Sequence, residues 1–385
     1  MGYGALALVI AAGLVGPLVA AVGRFAPPVV VGELAAGVVL GRTGLDWVHG
    51  SDPLLSGLAS IGFVLLMFVV GTHLPVRDPN LRAAAARGAG VAATVGAAAA
   101  IVGVALAPTV SLHRPAVLAV LIAASSGAVA LPVLQSLPAD RTVVVTTAWI
   151  ALADVATVLT LPFVLAVGSV PRALLGGVLV LLSGAALYVA LSSARDSPAV
   201  RRLRHLSHDR GWGVDLRVSL LALFVAAWIA TRFGTSILVA GFAMGAAVAF
   251  VGEPRRVAQQ LVGLGEGFAI PVFFVHLGAQ LDLRGLLHSP SALRLAVVIA
   301  AASLVVHVLA SLAWRLPVAS GLLSSAQLGV PSAVATIGLQ TKQLTATDAA
   351  AVMASVLVTL AACALGAALL GNRGQLPDLT APHPT

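Results

Sequence analysis

Apolar stretches recur along the whole chain, separated by short polar segments. A helix needs about 20 apolar residues to cross a hydrocarbon core of ~30 Å, so this pattern predicts membrane-spanning helices rather than barrel strands. The chain leaves no stretch for a soluble domain. Thirteen spans are predicted, at 2–22, 28–45, 56–73, 88–108, 115–136, 142–168, 172–193, 216–231, 234–251, 265–281, 293–314, 318–340 and 347–371.

The longest polar connection, residues 192–217, divides these spans into two sets of six around the seventh. We therefore expect one transmembrane domain over residues 1–375 and a short cytoplasmic tail over 376–385. Within the domain the predicted parts are a first repeat at 1–170, a linker helix at 171–215 and a second repeat at 216–375.

Composition and charge fit an all-α polytopic membrane protein. Hydrophobic residues make up 59% of the chain and charged residues only 9%, far from the balance of a soluble domain. Of the 22 Lys and Arg residues, fifteen fall in loops after odd-numbered spans and seven after even-numbered ones. The positive-inside rule then predicts an N-terminus outside and a C-terminus in the cytoplasm of a cell that carries the protein in its plasma membrane.

The net charge of +8 is mostly this topology signal. The Arg-rich stretch 195–217 contains only Trp212 as an aromatic residue, so a nucleic-acid partner is not expected. Cys363 is the single cysteine, and no Cys/His cluster has the spacing of a metal site. The sequence thus predicts no cofactor, disulfide or zinc centre.

Asp154 lies near the middle of an otherwise uncharged apolar run, 142–168. An ionised Asp at the centre of a bilayer costs at least ~2.5 to 3.5 kcal/mol, so an acid at this depth suggests a functional site. The alternative is an acid that holds helices together by pairing with a neighbour.

The two halves of the chain resemble each other in three places. Phe68–Arg77 is similar to Phe274–Arg284, Gly32–Gly37 to Gly241–Gly245, and the Ser-Ser pair at 125–126 to that at 324–325. Seven spans separate the members of each pair, and an odd displacement reverses direction across the membrane. The pattern predicts inverted-topology repeats, an architecture of many secondary transporters.

The matched Ser-Ser pairs open two small, polar stretches inside predicted spans. Such stretches break helices, and a broken helix at membrane depth offers carbonyl oxygens and a positive N-terminus to ions. Proline kinks with close packing are the alternative. The predicted break positions are Ser125, Ser126, Gly127 and Pro132 in the fifth span and Ser324, Ser325, Gly329 and Pro331 in the twelfth.

Together these motifs resemble the monovalent cation:proton antiporter superfamily, nearest its Kef-type and sodium/proton exchanger branch, membrane domain only. The similarity rests on Pro27–Gly41, Ile61–Gly71, Ala151–Asp154, Gly241–Gly245 and Pro271–Leu283, and it extends over essentially all the spans. It implies a sodium/proton antiporter-like fold with two crossed broken helices, and a homodimer.

The resemblance also implies roles for individual residues. Asp154 matches the family's acid in the sixth span, the shared site of the proton and of a transiently bound monovalent cation. His307 stands where relatives often carry Lys or Arg, which makes it a candidate charge partner or pH sensor, although a histidine that only fills a helix interface is an equal alternative. Ala153 replaces the usual Asn or Asp, which favours a cycle with one carboxylate.

The sequence therefore predicts a secondary transporter, not an enzyme, that exchanges Na⁺ or K⁺ for protons by alternating access. Ser125 and Ser126 would complete an oxygen shell around the cation at Asp154. Glu33 is a secondary candidate, with the alternative that it only favours the positive end of its helix. A sodium-coupled small organic anion symporter of the same fold and a cation channel remain open, because fold alone does not separate them.

Overall fold

The computed structural model describes residues 3–21, 29–50, 52–72, 79–135, 137–138, 140–165, 170–195, 214–233, 237–251 and 255–373, together with residues 197, 202, 210 and 212. The predicted tail at 376–385 lies outside these ranges. The described residues form helices and short connections without a strand, which confirms the all-helical prediction.

The helices follow one another through the whole described chain. In order they are α1 (Tyr3–Gly13), α2 (Val15–Ala21), α3 (Val29–Leu40), α4 (Pro53–Thr72), α5 (Pro79–Leu106), α6 (Pro115–Ala123), α7 (Gly127–Gln135), α8 (Arg141–Leu165), α9 (Val170–Arg195), α10 (Val214–Arg232), α11 (Ile237–Val251), α12 (Arg255–Leu264), α13 (Ile270–Gln280), α14 (Leu283–His288), α15 (Pro290–Ala313), α16 (Val318–Ser324), α17 (Gly329–Gln340) and α18 (Ala346–Arg373). A π-helical turn, Gly265–Ala269, joins α12 to α13.

Seven helical segments of the described chain are long and apolar enough to cross a membrane, and shorter apolar helices accompany them. The seven are Pro53–Thr72, Ala83–Thr109, Arg141–Leu165, Gln259–Gln280, Pro290–Ala313, Val318–Gln340 and Ala346–Gly371. The membrane-spanning fold is thereby confirmed, whereas the number thirteen and the boundaries of the two repeats stay predictions.

The helices form two sets that pack mainly within themselves. The first helix set comprises α1–α4 and α9–α13, and the second comprises α5–α8 and α14–α18. Contacts between the sets include those of α8 with α9 and α11, and of α4 with α7. Most of the helix packing therefore lies within a set rather than between the two sets.

Glycines set the close helix contacts of the first set. A Cβ atom on Gly37 of α3 would lie 2.2 Å from the carbonyl oxygen of Val275 on α13, and one on Gly278 would lie 2.3 Å from that of Leu34. Real Cβ contacts are never this short, so both helices need glycine where they cross. The backbones approach each other as small residues allow them to in membrane proteins.

The second set contains two helices that are interrupted in mid-span. Residues 124–126 separate α6 from α7, and residues 325–328 separate α16 from α17. Gly127 and Gly329 begin the helices that follow the breaks, and Ser324 ends α16.

Pro132 and Pro331 do not lie at the breaks, so the prediction that they are break positions is wrong. Pro132 is the sixth residue of α7, and Pro331 is the third residue of α17. A proline in the first turn of a helix sacrifices no helical hydrogen bond, because the N–H groups there have no acceptor in any case. Pro331 therefore fits inside α17 rather than interrupting it.

Candidate functional site

Asp154 lies in α8, in the middle of the second helix set, and is only 4% exposed. The backbone N–H of Gly127 donates a hydrogen bond of 2.9 Å to its Oδ2 atom. Gly127 is the first residue of α7, so the positive end of a helix points at the carboxyl group. The break between α6 and α7 thus supplies a donor to the one carboxyl group buried in the described part of the second set.

The two breaks cap each other. The carbonyls of Leu121 and Ser324 lie in the last turns of α6 and α16, where the chain leaves the helix and offers no helical donor. The Ser125 hydroxyl donates to the Ser324 carbonyl. In return, the Gln327 side-chain amide donates to the Leu121 carbonyl at 2.7 Å.

Each break therefore provides the polar side chain that satisfies the free carbonyl of the other. This mutual capping explains how two interrupted helices are tolerated at membrane depth, where an unsatisfied backbone group is costly. It also brings Ser125 and Ser324 together, although they are 199 positions apart in sequence.

Gln327 is a residue that the sequence interpretation did not single out, although it lies within the predicted break of the twelfth span. Its amide also donates to the Ser303 hydroxyl on α15 at 2.6 Å, so it ties the break to a third helix. An amide in the middle of a predicted span was the available signal. Unlike the serine pairs and the prolines, this amide has no counterpart in the first half of the chain.

His307 is fully buried on α15, where its Nδ1 atom donates to the Ser303 carbonyl at 2.8 Å. Its ring stacks on Trp149 of α8, with ring centroids 5.8 Å apart. Within the described chain no hydrogen bond or ion pair joins His307 to Asp154. The connection between the two runs through α8, because Trp149 lies five positions before Asp154 on the same helix.

The remaining predicted residues divide between the two helix sets. Ser126, Ser324 and Ser325 are buried at the two breaks. Glu33 is also buried, but it lies on α3 of the first set, where α3 packs against α2 and α13. The structure thus separates Glu33 from the site around Asp154.

The site combines one acid with hydroxyl and carbonyl oxygens in an otherwise apolar set of helices. Oxygen ligands of this kind suit a hard cation, and a carboxylate binds either a proton or a cation. The arrangement defines a class: helical membrane proteins in which two crossed, broken helices meet at a buried acid.

The comparisons with known proteins identify the family. The family model described as "Sodium/hydrogen exchanger, transmembrane" matches residues 9–370, nearly the whole chain. The chain belongs to this sodium/hydrogen exchanger family, and sodium/proton antiport is its activity in general terms. The symporter and channel alternatives are not favoured.

Individual relatives agree with this assignment. The chain is 25% identical over 271 residues to the Na⁺/H⁺-K⁺ antiporter GerN of Bacillus cereus, covering 68% of each protein. It is 29% identical over 269 residues to the Na⁺/H⁺ antiporter NhaS5 of Synechocystis, covering 69% of this chain and 38% of that protein.

A solved structure shares the fold. The sodium proton antiporter MjNhaP1 of Methanocaldococcus jannaschii superposes with a TM-score of 0.62, covering 96% of this chain and 97% of that one, at 17% identity. The predicted antiporter-like fold is confirmed by this match.

Proposed function

We propose that the protein exchanges one Na⁺ or K⁺ for one proton at Asp154, without net movement of charge. The observation that carries the proposal is the isolation of this acid. Asp154 is the only buried carboxyl group in the described part of the second helix set, and Ala153 stands beside it. A single carboxyl group holds either a proton or a cation, so each occupant excludes the other.

Ser125, Ser126 and nearby carbonyl oxygens complete the cation shell in this proposal. The Ser125 hydroxyl donates its proton to the Ser324 carbonyl, which leaves its oxygen lone pairs for a cation. The N–H of Gly127 stabilises the carboxylate after the proton has left. His307 takes the role of pH sensor rather than of direct charge partner, acting on α8 through the stacked ring of Trp149.

The division into two helix sets supports alternating access in this proposal. In this proposal the predicted spans five, six, eleven and twelve, which surround Asp154 and the two breaks, move together against the rest. All of these belong to the second set, and α5 and α18 pack with them. We therefore assign the movement to the whole second set, which carries Asp154 from one side of the membrane to the other.

The cellular setting remains part of the proposal. The protein is a multi-pass protein of the plasma membrane, with its N-terminus outside and its C-terminus in the cytoplasm. It works as a homodimer in the lipid bilayer and catalyses no chemical reaction. GerN is described as a Na⁺/H⁺-K⁺ antiporter, which supports including K⁺ among the substrates to be tested.

Proton flux in proteoliposomes tests the proposed exchange. We expect Na⁺ or K⁺, added to the outside, to drive proton movement at the same rate whether the membrane potential is free or clamped. A rate that rises when the potential is clamped would contradict one-for-one exchange. If no monovalent cation evokes proton flux, the proposed antiport is wrong.

Gly127→Ala should weaken cation binding without disrupting the fold. An added Cβ would lie 3.0 Å from Asp154 Oδ2 and 3.3 Å from a methyl group of Leu131, so the carboxyl group must shift by a few tenths of an ångström. We expect the apparent KM for Na⁺ to rise about tenfold, the equivalent of roughly 1.4 kcal/mol.

Gly57→Ala is the matched control for this change, because no atom lies within 4 Å of the position of its new Cβ. Sodium titrations of proton flux measure both variants. An unchanged apparent KM for Na⁺ in Gly127→Ala would mean that cation binding does not depend on the position of the Asp154 carboxyl group.

A further inference from the structure

The side-chain amide of Gln327 has a fixed orientation. Its partner at 2.7 Å is the Leu121 carbonyl, which only accepts hydrogen bonds, so the atom facing it must be the nitrogen. The second N–H of the same nitrogen donates to the Ser303 hydroxyl at 2.6 Å. Both donors are therefore used, and the direction of the Oε1 atom is determined.

This oxygen is buried and has no hydrogen-bond partner in the described chain. Gln327 is fully buried, and so is Ser324, whose hydroxyl group is likewise without a partner. Ser324 ends the helix before the second break, and Gln327 lies within that break. Buried oxygens without donors are unfavourable unless an ion or a water molecule occupies the space beside them.

Two hydrogen bonds relate the second break to the buried acid through the first break. The Ser125 hydroxyl reaches the carbonyl of Ser324, and Gly127, two residues after Ser125, donates to Asp154. Residues 125–127 of the first break thus contact both the second break and the carboxyl group of α8. An amide oxygen is a suitable ligand for a hard monovalent cation, whereas it accepts no proton at neutral pH.

We propose that Gln327 is a cation-binding and positioning residue: its amide nitrogen caps α6, and its Oε1 atom coordinates the transported cation. The inference rests on the proposed exchange at Asp154. The nitrogen and the oxygen of this one amide then have different functions. The nitrogen holds the crossing together, and the oxygen distinguishes a bound cation from a bound proton.

Two substitutions separate these tasks. Gln327→Met removes both the donors and the oxygen at similar volume, and Gln327→Glu removes the paired donors but keeps oxygen ligands. Gln340→Met is the matched control, because Gln340 is an exposed residue at the end of α17, the helix that follows the break. The readouts are the KM and Vmax of sodium-evoked proton flux, and the rise in unfolding temperature when NaCl replaces choline chloride.

We expect Gln327→Met to raise the apparent KM for Na⁺ by roughly ten- to a hundredfold and to lose the sodium-dependent rise in unfolding temperature. Gln327→Glu should unfold at a lower temperature than the parent protein in choline chloride, yet keep the rise with sodium. Gln340→Met should match the parent protein in both readouts.

A fall in Vmax or in unfolding temperature with KM unchanged in Gln327→Met would show that Gln327 only caps the helix, and would overturn the inference. If Gln327→Met does not fold, Gln327→Glu decides, since the loss of its response to sodium would equally overturn it. Failure of the exchange itself is recognised separately, by a parent protein in which cations evoke no proton flux.

Discussion

Replacing Asp154 with Asn should reduce sodium-evoked proton flux to the level of protein-free liposomes. Asn has nearly the shape of Asp and still accepts the hydrogen bond from Gly127, but it neither releases a proton nor provides a negative charge for a cation. The fold should therefore persist while exchange is lost. Proton flux after addition of Na⁺ or K⁺ measures the first effect, and thermal unfolding in detergent measures the second.

Asp140→Asn is the matched control for Asp154→Asn. Asp140 precedes the same helix, α8, and its side chain accepts from the backbone N–H of Val143 at 2.7 Å. Asn is an equally good residue at such a helix start, so flux and stability should both remain at the level of the parent protein. Cation-evoked flux that persists in Asp154→Asn would exclude Asp154 as the exchange site.

Gly37→Ala should destabilise the protein severely, by about 3 kcal/mol or more. The added methyl group would lie 2.2 Å from a backbone oxygen of α13, which no side-chain rotation relieves. The helices α3 and α13 would have to move apart, and the contact between Gly278 and α3 would be lost with them. A thermal unfolding curve in detergent measures the effect.

A Gly-to-Ala substitution should not destabilise the protein where no neighbouring atom lies close to the new methyl group. Gly96 lies in α5 with no atom within 4 Å of the position of its Cβ, so Gly96→Ala should leave the protein as stable as before or stabilise it by up to about 1 kcal/mol. Equal unfolding temperatures for Gly37→Ala and Gly96→Ala would show that α3 and α13 do not cross as closely as described.

The sequence predicts the class of fold well because hydrophobic length is a direct requirement of the bilayer. The buried acid is equally visible, since Asp154 is an ionisable residue in an uncharged run. The helix breaks were located within a few residues because serine and glycine interrupt an apolar helix in both halves. The exact residues of each break are less predictable. Both prolines lie inside the helices that follow the breaks.

Contacts between distant segments were beyond the reach of local patterns. The capping of Leu121 by Gln327 joins residues 206 positions apart, and nothing in either stretch indicates the other. The family position makes His307 a candidate charge partner or pH sensor for Asp154, whereas the contact that the structure gives its ring is a stack on Trp149. Pairings of this kind depend on how helices rotate against one another, which hydrophobicity alone does not determine.

Mutual capping of the two breaks has a consequence for biosynthesis. When the first half of the chain has entered the membrane, the Leu121 carbonyl still lacks the amide that caps it, since Gln327 has not yet been synthesised. By the time Ser324 is synthesised, Ser125, which donates to its carbonyl, has already been inserted. The crossing can therefore form only when both halves have been inserted, so neither half expressed alone should reach a native arrangement at this site.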